Sequence, residues 1–310
     1  MSLRQLAGLT AAAAAVSVLA AACTASSAAG TATAHSGTVV AVGAENQYAN
    51  VIAQIGGKYV QVTAIESNPT TDPHTFEASA SVSQVIGAAE LVVQNGLGYD
   101  SYMNTIENSA PSPARRVIVA AHLLRLPDST PNPHLWYAPT TMPAVARAIA
   151  ADLSRLRPAH RAYFQASLAR FDASLRPWLS AMASFRAAHG GTPVATTEPV
   201  GDFLLQALGT RNLTPLGLQT DVMNGLDLAP QYVTLQDKLL QQHQVRVFLY
   251  NQQVADSVTQ AFLATARRAG IPVVGVYETM PAGYSYQSWM LAEVQALAKA
   301  VTGKVSTQKL

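Results

Sequence analysis

Two histidines in this chain occupy matched settings. His74 lies in SNPTTDPHTFE and His134 in STPNPHLWYAP. In both cases a proline precedes the histidine and confines the residue before it, Asp72 or Asn132, to extended geometry. Imidazole nitrogen is a common donor to transition ions, but a lone histidine in a loop is more often a solvated or hydrogen-bonded residue than a ligand. Two carboxylates stand in comparable places. Glu198, in ATTEPVGDF, and Glu278, in VVGVYETMP, each follow an apolar run that reads as a strand. Open α/β sheets hold ligands beyond the carboxyl ends of their strands. A glutamate there is equally at home as the acidic residue that favours a helix start. Along the chain the four residues are separated by 60, 64 and 80 positions, so only tertiary folding can bring them together, unlike the local spacing of a zinc finger.

The elements that would position them form two blocks. Short β-branched runs alternate with helical periodicity in each, which predicts a largely parallel α/β arrangement. The first block has strands at Thr38–Val42, Val60–Ile65, Leu91–Val93 and Arg116–Val119, with a helix ending at Gly56-Gly57 between the first two. The second has strands at Pro193–Thr196, Val245–Leu249 and Ile271–Val276, with helices over Thr259–Ala269 and Tyr286–Val301. A helical stretch from Met142 to Ala188 separates the blocks. Within it Phe164, Leu168, Phe171, Leu175, Trp178, Met182 and Phe185 step by three or four, so they line one helix face. Pro158 is placed to open the main segment, and Pro177 must kink or divide it. The fold class expected is α/β, with two lobes, each a mostly parallel sheet flanked by helices, joined by a long connecting helix. The boundaries fall at 38–157 for the N-terminal lobe, 158–190 for the connecting helix and 191–310 for the C-terminal lobe.

Composition narrows the function. Only 12% of the 310 residues are charged and the formal charge is +2, which leaves no basic face for nucleic acid. The apolar fraction of 49% excludes a disordered chain, and a single cysteine excludes a disulfide-stapled miniprotein. Residues 1–22, with Arg4 followed by a small-apolar run free of acids, read as a signal peptide. The run ends at Cys23 after Leu19-Ala20-Ala21-Ala22. This resembles a bacterial lipobox, departing from its commonest form at Ala20; the other reading is an ordinary cleaved signal with an incidental cysteine. Residues 23–37 are low-complexity and read as a lipid-anchored flexible tether.

Longer stretches carry a family resemblance. AVGAENQYANVIAQIGG, DPHTFEAS, AELVVQNGLGYDSYM and NPHLWYAP lie in the first block. TTEPVGDFLLQALG, LLQQHQVRVFLYNQQ, AGIPVVGV and ETMPAGYSYQSWM lie in the second. Together they resemble the substrate-binding lipoproteins of zinc/manganese ABC importers over residues 38–303. The resemblance implies two α/β lobes joined by a long helix with a metal ion buried between them. It also implies His74, His134, Glu198 and Glu278 as the ligands. Two neutral imidazoles and two carboxylates would balance a dication. Monodentate carboxylates would give a tetrahedron that suits Zn2+, which also outranks Mn2+ in intrinsic affinity; bidentate ones would suit Mn2+. Asp72, Asn68 and Asn46 are candidate outer groups, and Trp136 and Tyr137 either shield the site or pack the core.

The implied protein is exported, anchored through a lipidated Cys23 to the outer face of the bacterial cell membrane, monomeric and non-catalytic. It would deliver its ion to an ABC permease and its ATPase. Two other functions compete. A metal-dependent hydrolase would need an open coordination position, and no HExxH pattern occurs. A binder of a siderophore- or corrinoid-type ligand would share the architecture but would line its cleft with aromatics or arginine.

Overall fold

A computed structural model describes residues 37–310. The leader at 1–22, Cys23 and all but the last residue of the tether lie outside the described residues. Eight short strands form two sheets of four. The first contains β1 (Val39–Glu45), β2 (Val60–Glu66), β3 (Leu91–Gln94) and β4 (Arg116–Val119) in the order β2-β1-β3-β4. The second contains β5 (Pro193–Thr196), β6 (Arg211–Asn212), β7 (Val247–Asn251) and β8 (Val273–Val276) in the order β6-β5-β7-β8. Every pairing is parallel. That explains the unbroken apolar runs: β3, β7 and β8 are buried along their whole length because crossover helices cover both faces of a parallel sheet. In each sheet the order reverses beside its first strand, which opens a crevice at the carboxyl ends there. The two-residue β6 has no periodicity to betray it in the sequence.

Local chemistry seats the crossovers. The helix Asn46–Gly56 buries Tyr48, Val51, Ile52 and Ile55 against the first sheet. It lies so close to β1 that a Cβ on Gly43 would collide with the backbone of Ala49. Gly57, with φ of +52°, ends that helix in the left-handed region that favours glycine.

The stretch 142–188 is three helices, divided near Pro158 and Pro177. Thr141–Leu156 packs on the helix Asn46–Gly56 and on β4 of the first sheet. It stops at Arg157, where Pro158 forces extended backbone (φ −135°, ψ 74°). The connection proper is Arg161–Ser174 followed by Arg176–His189. Pro177 accounts for the break, since it cannot donate to the Ala173 carbonyl; Arg176 Nε donates to that oxygen instead, at 3.3 Å. The expected apolar stripe is buried at Phe164, Phe171, Leu175, Trp178, Met182 and Phe185, while Leu168 is only partly covered. Each fully buried side chain of this kind contributes about 1.5–3 kcal/mol. Trp178 meets Tyr286 edge-on at 5.8 Å, which ties the connection to the helix Tyr286–Gly303. One continuous apolar core therefore runs from the first sheet through the connection into the second. Among the described residues no helix is long and apolar enough to cross a membrane.

Candidate metal centre

The two X-Pro-His segments share one local device. Asp72 Oδ1 accepts from the His74 backbone N–H at 2.9 Å, and Asn132 Oδ1 accepts from that of His134 at 3.0 Å. Each is an Asx turn in which proline fixes the approach and the Asx side chain closes it. His74 thus sits in a single 3-10 turn, Pro73–Thr75, beyond β2, and His134 immediately before another, Leu135–Tyr137, beyond β4. Asn132 does more than cap. Its Nδ2 donates to Pro199 O of the second lobe at 2.7 Å, which leaves its Oδ1 facing His134 Nδ1 at 2.8 Å. An oxygen acceptor at Nδ1 places the imidazole proton there and leaves the Nε2 lone pair free to coordinate.

That lone pair points at Glu278. Glu278 lies just beyond β8 and is fully buried. Its Oε2 is 3.1 Å from His134 Nε2 and 3.2 Å from His74 Nε2. The same oxygen accepts from Tyr99 Oη at 3.0 Å, while Oε1 accepts from Asn251 Nδ2 at 2.7 Å. Ligand atoms of His74, His134 and Glu278 all fall within 4.8 Å of one another, the spacing of a site for one ion. The fourth candidate behaves differently. Glu198, just beyond β5, is buried, yet neither carboxylate oxygen has a hydrogen-bond partner and it is not one of the converging three. The chain therefore gathers three of the four candidates and leaves the last as a buried acid beside Asn251 and within reach of the Glu278 charge.

The electrostatics follow from that arrangement. Burial pushes the Glu198 carboxyl well above its ordinary value, and the charge of Glu278 adds to the effect. Burial acts on Glu278 in the same sense, but the adjoining imidazoles of His134 and His74 reverse it and hold the carboxyl below the usual range. Desolvation above all lowers His134, against the opposing pull of Glu278. For His74 desolvation is again the largest effect and lowers it, yet Glu278 and Asp72 together outweigh it and the net shift is upward. A buried carboxylate facing two imidazoles and a second, unpaired carboxyl is a poor apolar core and a good cradle for a dication.

Aromatic edges close the pocket. Tyr99 meets His74 at 5.1 Å and His134 at 5.7 Å between ring centroids, and Trp136 meets His134 at 5.4 Å. Trp136 thus shields the site, whereas Tyr137 turns away to Tyr277 O and Glu293. Tyr99 is held by the NGLGYD loop. Gly96, Leu97 and Gly98 all take positive φ, and Asp100 accepts from the backbone N–H groups of Asn95 and Gly96. Asn95 Nδ2 ties this loop to the His134 loop through Pro133 O, at 2.7 Å.

Sequence reasoning missed Tyr99, Asn132 as a ring partner, Asn251 and Gln253. Gln253 Oε1 accepts from the backbone of Glu278 at 2.7 Å and of Thr279 at 3.0 Å, and its Nε2 donates to Thr71 O in the His74 loop at 2.7 Å. The nearest signal was the run of polar residues Asn251-Gln252-Gln253 following a fully apolar strand. Of the outer groups that were expected, Asp72 caps His74, Asn68 bonds within its own turn to Thr70 and Thr71, and Asn46 pairs with the Met280 backbone.

The comparisons agree with this architecture. The family model described as "Zinc-uptake complex component A periplasmic" matches residues 42–300. The manganese-binding lipoprotein MntA of Bacillus subtilis (strain 168) is 23% identical over 234 residues, covering 73% of this chain and 74% of its own length. Among solved structures, the periplasmic zinc-binding protein TroA from Treponema pallidum superposes with a TM-score of 0.72 at 16% identity, over 87% of this chain and all of that one. A manganese-bound periplasmic metal-binding protein from Candidatus Liberibacter asiaticus gives 0.68 at 15% identity, over 85% of this chain and all of that one.

Proposed function

We infer the function of this chain in detail from the premise that it belongs to the family of zinc-uptake complex component A, periplasmic. It is an extracytoplasmic solute-binding protein that captures a divalent transition ion for import by an ABC permease and its ATPase. We propose His74, His134, Glu198 and Glu278 as the ligands of that ion. The observation that carries the assignment is the meeting of two imidazole Nε2 atoms and one Glu278 oxygen beside a buried Glu198 that has no partner of its own. Zinc is the proposed cargo and manganese the competitor, because two nitrogens and two single oxygens make a tetrahedron. Four protein ligands would leave no position for an activated water, in keeping with capture rather than hydrolysis. The cleft beside His74, about 500 Å³, is lined by Leu97, Tyr99, Pro131, Thr220, Met223 and Asn224 among others, none of them arginine. We further propose a lipid anchor at Cys23, a monomer, and lobes spanning 38–157 and 191–310 about a connection at 158–190.

Elemental analysis of protein purified without chelator tests the reading. Near-stoichiometric zinc or manganese without esterase or peptidase activity is the expected result; metal-free protein that takes up a large chelate would overturn it. The ligand set also fixes a pH dependence. His74 titrates above its ordinary 6.5 in the metal-free protein, so protons compete for it from above pH 6.5 downward. Apparent affinity should then fall by about tenfold per pH unit for each proton the ion displaces. Competition against a chromogenic chelator between pH 8 and 5 reads this directly, and a flat profile would contradict histidine ligation.

A further inference from the structure

We infer that Asn251 makes Glu278 a one-oxygen ligand and thereby biases the site toward four-coordinate zinc and against manganese; this rests on the four-ligand reading above. Asn251 ends β7 and is fully buried. Its Oδ1 accepts from the Gln253 backbone N–H at 3.0 Å, and its own backbone N–H donates to Thr197 Oγ1 at 3.1 Å. The amide cannot flip without stranding the Gln253 donor, so only Nδ2 can face Glu278. That group holds Oε1 at 2.7 Å, on the second-lobe side, while Oε2 lies within 3.2 Å of both imidazole Nε2 atoms. The two oxygens of this carboxylate have separate partners.

Chelation by both oxygens would draw Oε1 off Asn251 and toward the ion. A backbone adjustment cannot supply the movement cheaply, because Gln253 Oε1 already clamps the N–H groups of Glu278 and Thr279. Swinging Oε1 away breaks a 2.7 Å hydrogen bond to a charged group, at a cost of about 1.5–3 kcal/mol, or roughly tenfold to a hundredfold in affinity. Zinc is content with four donors and escapes this cost. Manganese, which favours oxygen-rich sites of higher coordination, does not. Selectivity would thus be set by a residue that never touches the ion.

Full-length Asn251→Ala, Asn251→Leu and Tyr99→Phe test the inference by zinc and manganese competition and by the visible spectrum of the Co2+-loaded protein. In both Asn251 variants the ratio of zinc to manganese affinity should fall by about tenfold or more, and the cobalt absorption should weaken as coordination number rises. Tyr99→Phe removes a donor to Oε2 but leaves Oε1 held, so it should weaken both metals alike and leave their ratio and the cobalt band shape in place. If neither Asn251 variant folds, the wild-type zinc complex decides by crystallography: Oε1 stays on Asn251, outside bonding distance. An unchanged ratio and spectrum, or a wild-type Glu278 that chelates with both oxygens, overturns the inference while leaving the ligand set intact. Wild-type protein that binds neither metal overturns the ligand set itself, and the inference with it.

Discussion

Glu278→Gln should lower metal affinity by roughly 10²–10³-fold with the fold intact. No other side chain in the pocket meets so many partners: both imidazoles and Tyr99 at Oε2, Asn251 at Oε1. Removing one charge from a buried, mutually compensating set costs about 3–5 kcal/mol, and each 1.4 kcal/mol is tenfold in binding. Glutamine keeps the volume but loses the charge, and it must turn either its amide nitrogen toward Asn251 Nδ2 or that nitrogen toward the ion. A second consequence separates ligand from scaffold. His74 is held up by the Glu278 carboxylate against desolvation, so its titration in the metal-free variant should move down. Chelator competition and the NMR titration of His74 read the two effects. Affinity within threefold of wild type, with His74 unmoved, would remove Glu278 from the site.

The backbone frame was legible because its signals are local and repeated. The strands announce themselves as β-branched runs, and the Asp-Pro-His and Asn-Pro-His segments carry their own Asx turns, so one sequence pattern yields both positions and geometry. Glu198 and Glu278 were legible through a rule about strand ends rather than any motif. Asn251, Gln253 and Tyr99 were not. Each is a single polar residue whose role is fixed by a partner far along the chain; Asn251 and Tyr99 meet at one carboxylate from 27 and 179 positions away. Nothing in the sequence around them reports that distance. The divisions among the three helices between the blocks were legible at Pro158 and Pro177, which cannot continue a helix, although apolar steps of three and four run on across them.

The same long-range bonds hold the two lobes together around the pocket. Asn132 to Pro199 O, Gln253 to Thr71 O and the reciprocal pair between Asn46 and the Met280 backbone all cross from one lobe to the other. They flank the ligands, so the lobes are pinned at the site itself as well as along the connecting helices. His74 is the exception to this seclusion: its side chain keeps 19% of its surface exposed, while those of His134 and Glu278 keep none. His74 meets the surface in the cleft between Tyr99 and the helix Leu216–Met223.

Glu198→Leu should have opposite effects on the metal-free and metal-loaded protein. In the metal-free state Glu198 is buried with both oxygens unbonded, a burden of about 1–3 kcal/mol for a polar group without a partner. Leucine of similar volume removes it, so the metal-free variant should melt higher, by about 2–5 °C for a chain of this size. The gain should also depend on pH with a definite sign. Burial raises the Glu198 carboxyl above the 4.5 of the unfolded chain. The wild type therefore loses stability as pH rises from 4.5 toward the folded-state value, and the variant does not. Its advantage in melting temperature should widen between pH 5 and 8. With metal the order reverses. Losing an anionic ligand from a charge-balanced pocket costs about 3–5 kcal/mol, so the stabilisation that excess zinc gives the wild type, about 4 kcal/mol at a thousand times Kd, should nearly vanish. Calorimetry with and without zinc measures both arms. A variant that is less stable without metal yet binds zinc as tightly as the wild type would make Glu198 a structural residue and leave the ion with three protein ligands.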